Sequence, residues 1–185
     1  MSIIDNITVE DFKAQFPRFT PVYLPLYKLG DTYFKNDVVY YNGLFYQVIV
    51  DSTTELPSNM TDWVLTNQSI YNYTQDNDIY NAMLEAKANF NENLYGESTS
   101  LAFLYLVAFY LTVDFQNAMG ANNIGVVQSK SVGSVSESYA IPQWVINNPI
   151  LSVYASNGYG RKYLSIIRPY LVGNVMFFKG GITFG

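Results

Sequence analysis

Ser129 beside Lys130, within the segment "SKSVGSVSESY" (Ser129 to Tyr139), is the pair that comes nearest to nucleophilic chemistry, a hydroxyl next to an amine that could take its proton. Asp76 and Asp78 offer a second candidate, paired carboxylates of the kind glycoside hydrolysis uses. Neither arrangement suits its chemistry. Adjacent residues of an extended strand point to opposite faces, so Lys130 cannot activate Ser129 there. The two aspartates flank a helix start, where carboxylates complement exposed N–H groups and the helix dipole without any catalytic role. "GANNIG" and "GYGRK" lack the preceding strand and the glycine and lysine spacing of nucleotide-binding loops. The chain has neither histidine nor cysteine, which removes most soft metal sites, imidazole and thiol catalysis, and disulfides. The expectation is a protein that is not an enzyme and needs no cofactor.

What remains is surface for contact. Aromatic residues make up 17% of the chain and charged residues only 14%, against about 25% charged in ordinary soluble domains. A surface built from Asn, Ser, Thr and Tyr is the composition of something that packs against other protein. Charge is also segregated: residues 1–119 carry a net −9 and residues 120–185 a net +4, giving −5 in all. A basic C-terminal third suits an acidic protein neighbour. Nucleic acid is a poorer fit, because the excess positive charges form no run or stripe.

These surfaces have to be positioned by a small set of elements. "TVEDFKAQFPRF" has Thr8 as N-cap, Asp11 three residues on, and Pro17 as a stop, which predicts a short helix carrying Phe12 and Phe16. Residues 27–66 turn aromatic and β-branched around Asn42-Gly43, a hairpin signal, and predict a small β insert with a polar loop at Pro57 and a return strand containing Trp63. From Thr74 the period is helical: Ile79, Met83, Ala86, Phe90 and Leu94 share a face, and Gly96 should end that helix. A second helix from Ser98 to about Met119 is apolar nearly all round. Its run "LAFLYLVAFYL" (Leu101 to Leu111) is eleven residues long, too short for the about 20 that span a bilayer, so it reads as a buried helix. The N-terminal "MSIIDNITVEDFKAQF" shows no secretory signal pattern. Pro149 should open a short helix and Gly158 end it, Pro169 should limit a last amphipathic helix, and the tail "GNVMFFKGGITFG" should be extended.

Between those helices, the serine-rich segment lacks the alternation of a half-buried strand. Taken as one extended run, one face reads Ser129, Ser131, Gly133, Val135, Glu137 and Tyr139, the other Lys130, Val132, Ser134, Ser136 and Ser138. Such a ribbon has weakly specified register and open backbone donors, so it reads as a loop or hairpin that finds hydrogen bonds on another chain. A flexible linker is the competing reading.

Two resemblances arise from these motifs. "GDTYFKNDVVYYNGLFYQV", followed by Pro57 and Trp63, resembles the small carbohydrate-binding modules found on chitinases and phage adhesion proteins. It implies Tyr41, Tyr46 and Trp63 as a sugar-stacking platform, with the alternative that Tyr46 and Trp63 form the insert's own core. "T-x-x-D-F-x-x-x-F-P-x-F" (Thr8 to Phe19), the two helices, "GVVQSKSVGSVSESY" and "GYGRKYLSIIRP" (Gly158 to Pro169) resemble the tailed-phage head-to-tail connector family, also called head completion or adaptor proteins. That resemblance implies a mainly α-helical connector core (1–26 and 67–185) with an extended polar ribbon; residues 27–66 depart from the family pattern and would be a small β insertion, so the whole chain is expected to be α+β. The resemblance further implies a structural virion protein of the neck, assembled in the host cytoplasm. The protein would form a homo-oligomeric ring, typically twelvefold, that joins portal to tail and helps complete the filled head. Its partners would be the portal and the tail or neck proteins, with DNA only passing through the lumen and no membrane involved. On this reading Ser129, Lys130, Ser131, Val132, Gly133, Ser134 and Val135, with Arg161 and Lys162, make the inter-subunit or portal interface. The alternative is a carbohydrate-binding accessory or adhesion protein acting through residues 27–66.

Overall fold

The structure, a computed structural model, describes residues 2–120, 129–132, 135–138 and 142–179. In chain order its elements are α1 (Val9–Gln15), β1 (Tyr33–Phe34), β2 (Val38–Tyr41), β3 (Leu44–Val48), β4 (Ser52–Thr53), β5 (Trp63–Thr66), α2 (Asp76–Ala88), α3 (Thr99–Ala118), β6 (Ser129–Val132), β7 (Val135–Ser138), α4 (Gln143–Ile146), α5 (Pro149–Tyr154) and α6 (Gly158–Lys179). The chain is α+β. It divides into two compact units, Met1–Pro17 with Asp76–Gly185, and Arg18–Gln75.

The β unit therefore begins and ends nine residues outside the 27–66 expected from composition. The reason is backbone pairing that composition does not show. Thr74 donates its N–H to the Val22 carbonyl at 2.9 Å and accepts from Leu24 N–H at 3.0 Å, so the entering and leaving segments pair as a parallel bridge. Within the unit, β2, β3 and β5 form an antiparallel sheet in that order, and β1 pairs with β4. Asn42 and Gly43 both take positive φ, 49° and 86°, the backbone a tight hairpin turn requires and glycine adopts without a Cβ clash. Val39, Val48 and Trp63 are the buried centre, and Tyr27, Tyr33, Tyr46 and Val50 pack around them.

The helical unit is organised by α3. Phe103, Leu106, Val107, Phe109 and Leu111 are at most 2% exposed, and each such side chain contributes about 1.5–3 kcal/mol by leaving water. α2 covers one side with Ile79, Ala82, Met83 and Ala86, and α6 another with Tyr163, Leu164 and Ile167. α1 is held by the expected capping box, Thr8 Oγ1 accepting from Asp11 N–H and Asp11 Oδ2 from Thr8 N–H. It lays Phe16 edge-on against Tyr105 and Tyr159 at 5.1 and 5.6 Å. Among the described residues one helix, Gly96–Ala118, is long and apolar enough to cross a membrane, and half of that window is buried inside the bundle.

Three helix boundaries differ from expectation. α2 ends at Ala88 rather than Gly96, and two 3-10 turns at Glu92–Leu94 and Gly96–Ser98 carry the chain into α3. Asn91 breaks the helix by turning its side chain onto the Asn93 N–H at 3.2 Å. As a result Leu94 lies 39% exposed instead of on the buried face. Gly158 starts α6 instead of stopping α5, because Asn157 accepts the Gly160 N–H at 2.9 Å and caps the new helix. α6 also runs through Pro169 to Lys179, so the stretch expected to be extended is helical as far as Lys179, and residues 180–185 lie outside the described residues. The turn after Pro169 is pinned: Tyr170 donates its hydroxyl to Ser98 Oγ at 3.1 Å and meets the Tyr95 ring at 5.6 Å, which offsets the hydrogen bond that proline removes.

Gly160 lets α6 approach α3. A Cβ there would overlap the Tyr154 carbonyl and lie 2.7 Å from Phe109 Cδ2, whereas at Gly158 nothing stands within 4 Å. Gly160→Ala should cost about 1–3 kcal/mol by forcing the two apart, and Gly158→Ala should be near neutral; urea denaturation monitored by circular dichroism compares them.

The N-terminal segment is clasped by Glu92, which accepts from Ser2 Oγ at 2.7 Å and Ile3 N–H at 2.9 Å. The Ser2 hydroxyl, then the Ile4 and Ile3 amides, hold its carboxyl below the usual range. Because the folded value is the lower one, the clasp stabilises fully above the ordinary range and is lost as pH falls through the lowered value. Glu92→Gln should melt below the native protein near pH 7, with the gap closing as pH falls through the lowered carboxyl value in a thermal-melting series.

Candidate functional site

The serine-rich segment is an antiparallel hairpin. Ser129 pairs with Ser138, Lys130 with Glu137, Ser131 with Ser136 and Val132 with Val135. Gly133, Ser134 and Tyr139 lie outside the described residues. The chain reverses between Val132 and Val135, so the single-strand reading of its faces is corrected. Directly opposed register positions share a face, which groups positions 129, 131, 136 and 138, all serine, on one face and positions 130, 132, 135 and 137 on the other. Ser129 and Lys130 occupy successive positions of one strand, and hence opposite faces, as the sequence argument against a dyad requires. Among the described residues no third strand joins β6 or β7. A two-stranded ribbon is marginal by itself in water, and both outer edges keep backbone donors and acceptors to offer.

Asp76, the other sequence candidate, opens α2 and pairs with Lys13 at 2.5 Å. It is a structural contact between α1 and α2. Among the described residues no group of three or more carboxylates is arranged to hold a metal ion.

Arg161 and Lys162 separate on α6. Lys162 is exposed, while Arg161 is half-buried and lines a hollow of about 270 Å³ with Trp144, Val145, Ala155, Leu164, Ser165 and Arg168. Arg161, Ser165 and Arg168 fall at i, i+4 and i+7, one stripe of the helix. That spacing is legible in the sequence; that Trp144 of α4 closes the hollow is not, because α4 reaches α6 only through tertiary packing. The same unit holds a cluster of tyrosines, Tyr95 and Tyr163 buried and Tyr110 and Tyr154 half-buried. Burial, first of all, pushes the Tyr110 and Tyr163 hydroxyls well up from their ordinary value, helped by Tyr154 and Tyr95 respectively, so these groups stay neutral and act as packing.

A different electrostatic situation holds on α2 and α3. Partial burial and then the Asp114 charge raise Glu85, and partial burial and then the Asp78 charge raise Asp114. Neither Glu85 nor Asp114 has a salt-bridge partner among the described residues.

On the β unit the expected sugar platform is divided. Tyr41 and Tyr46 are half-buried with rings 6.4 Å apart, but Trp63 has no exposed surface. Its indole N–H donates to the Glu55 carbonyl at 3.2 Å and its ring meets Tyr33 at 5.5 Å and Tyr27 at 6.3 Å. Trp63 is therefore the core of the unit and cannot stack on a ligand.

Compared with known protein families, curated proteins and solved structures, the chain matches none.

Trp63→Ala should cost about 3–5 kcal/mol and make residues 18–75 sensitive to limited proteolysis, while Tyr41→Ala leaves them resistant. Peptide mapping after brief protease treatment distinguishes the two variants.

Proposed function

We propose that the protein is a structural component of the phage neck, a ring that joins portal to tail and helps complete the DNA-filled head. The observation that carries this reading is the β6–β7 ribbon, a polar two-stranded hairpin with no third strand among the described residues. Backbone groups left open in such a ribbon are best satisfied by strand addition or lateral contact from another chain. The low charge content, the Asn- and Tyr-rich surface and the basic stripe on α6 support the same kind of assembly. The resemblance of Thr8–Phe19, the ribbon segment and Gly158–Pro169 to head-to-tail connectors supplies the identity of the partners: neighbouring copies, the portal and the tail or neck proteins. Catalysis has no part in it. The β unit would be an insertion added to the connector chain. A carbohydrate-binding role for that unit loses its strongest element with Trp63 in the core.

Deleting residues 129–138 should leave the helical circular dichroism intact and abolish assembly. Light scattering of the purified protein, alone and with the portal protein of the same phage, reads the result. The native chain should reach ring mass in at least one condition, and the deletion variant should remain a monomer near the 21.0 kDa of the native chain. A native chain that stays monomeric with portal present, or a deletion variant that assembles normally, would overturn the proposal.

A further inference from the structure

The helical unit carries two surfaces with charged groups, Arg168 on one and Glu85 and Asp114 on the other, that lack salt-bridge partners among the described residues. One is the hollow between α4 and α6, with an apolar floor of Val145, Ala155 and Leu164 and a rim bearing Trp144 and Arg168. Arg168 is exposed and has no carboxylate partner among the described residues. The other is where α2 packs on α3 and carries the exposed Glu85 and Asp114, neither with a salt-bridge partner among the described residues, and the exposed Leu84. Both α2 and α6 pack on α3, so the acidic surface, on α2 and α3, and the basic hollow, between α4 and α6, are built on different helices. They are complementary in sign, and Leu84 matches the apolar floor.

We infer that these two surfaces meet between copies: the α2–α3 carboxylates of one protomer, with the adjacent Leu84, dock onto the Arg168 rim and Trp144-lined hollow of the next. This rests on the ring proposed above and specifies its side-to-side contact. Two different patches engaged head to tail make a heterologous interface, and a heterologous interface repeated around an axis closes a ring. Charge complementarity decides the occupant. Each copy supplies both the acids and the guanidinium, so one repeated contact satisfies both, alongside the strand contact that the β6–β7 ribbon makes with a neighbouring copy. Paired charges at such a rim also fix register and reject misaligned copies.

Charge reversal tests it. Arg168→Glu places like charges at the contact from the hollow side, and Asp114→Arg does so from the acidic side. Either variant alone should lower the ring fraction at a fixed protein concentration at least about tenfold, since like-charge juxtaposition is strongly unfavourable. Mixed in equal amounts the two should assemble again, because alternating copies then present opposite charges at every contact. Glu85→Arg replaces Asp114→Arg if circular dichroism shows the latter misfolded. Size-exclusion chromatography with light scattering reads all arms, with the portal protein added if the native chain needs it. If native rings form and the single variants assemble like the native protein, the pairing is wrong and the ring reading stands. If Arg168→Glu keeps its ring but no longer binds portal, the hollow serves the portal and the pairing is again wrong. If the native chain never self-associates, with or without portal, both fall.

Discussion

Everything in the helical unit depends on covering α3. A helix apolar on nearly all its faces cannot stand at a surface, so α2 and α6 lay apolar stripes against it, and Phe16 at the end of α1 meets Tyr105. A close approach is made at Gly160, buried between the Tyr154 carbonyl and Phe109. That contact sets where α6 runs, and with it which residues of α6 look outward. Arg161, Leu164, Ser165 and Arg168 line the hollow because Tyr163 and Ile167 are committed elsewhere in the core.

The same demand explains how a β unit with its own core can interrupt the chain between α1 and α2. Lys13 and Asp76, one near each end of the interruption, are joined by an ion pair at 2.5 Å, so the helical unit closes on itself. On the β side, Thr74 is hydrogen-bonded to Val22 and Leu24, so that unit closes as well. Each unit satisfies its backbone at its own boundary. An insertion whose ends are adjacent in both units disturbs neither core.

Polar groups are distributed in keeping with this. Tyr110 and Tyr163 stay neutral and serve the core, while ionised groups are few and sit at edges. Glu92, Asp5 and Asp11 hold the N-terminal segment through hydrogen bonds and the Asp5–Lys87 ion pair at 3.0 Å. The hairpin register sets Lys130 across from Glu137, so opposite charges fall at one register position of the ribbon and the remaining polar positions are all serine.

Local signals were legible wherever the physics is local. The Thr8–Asp11 capping box, the Asn42–Gly43 turn, the Asn148–Pro149 helix start and the continuous apolar span of α3 depend on residues within a few positions of one another, and the sequence by itself determined them. It also determined that histidine and cysteine chemistry is absent. The places where expectation and structure part are mostly those where distant residues outweigh a local preference. Pro169 does not end α6 because Tyr170 is anchored by Ser98 and Tyr95. The β unit extends to Arg18 and Gln75 because Val22 and Leu24 pair with Thr74. Two exceptions are local: Asn157 caps a helix that begins at Gly158, so that glycine opens α6 rather than ending α5, and Asn91 accepts from Asn93 beyond the end of α2. Trp63 carries the aromatic surface of a ligand platform in its sequence, yet only tertiary packing decided that it faces Val39 and Val48 rather than solvent, since a unit so small must bury its largest apolar side chain to have a core at all.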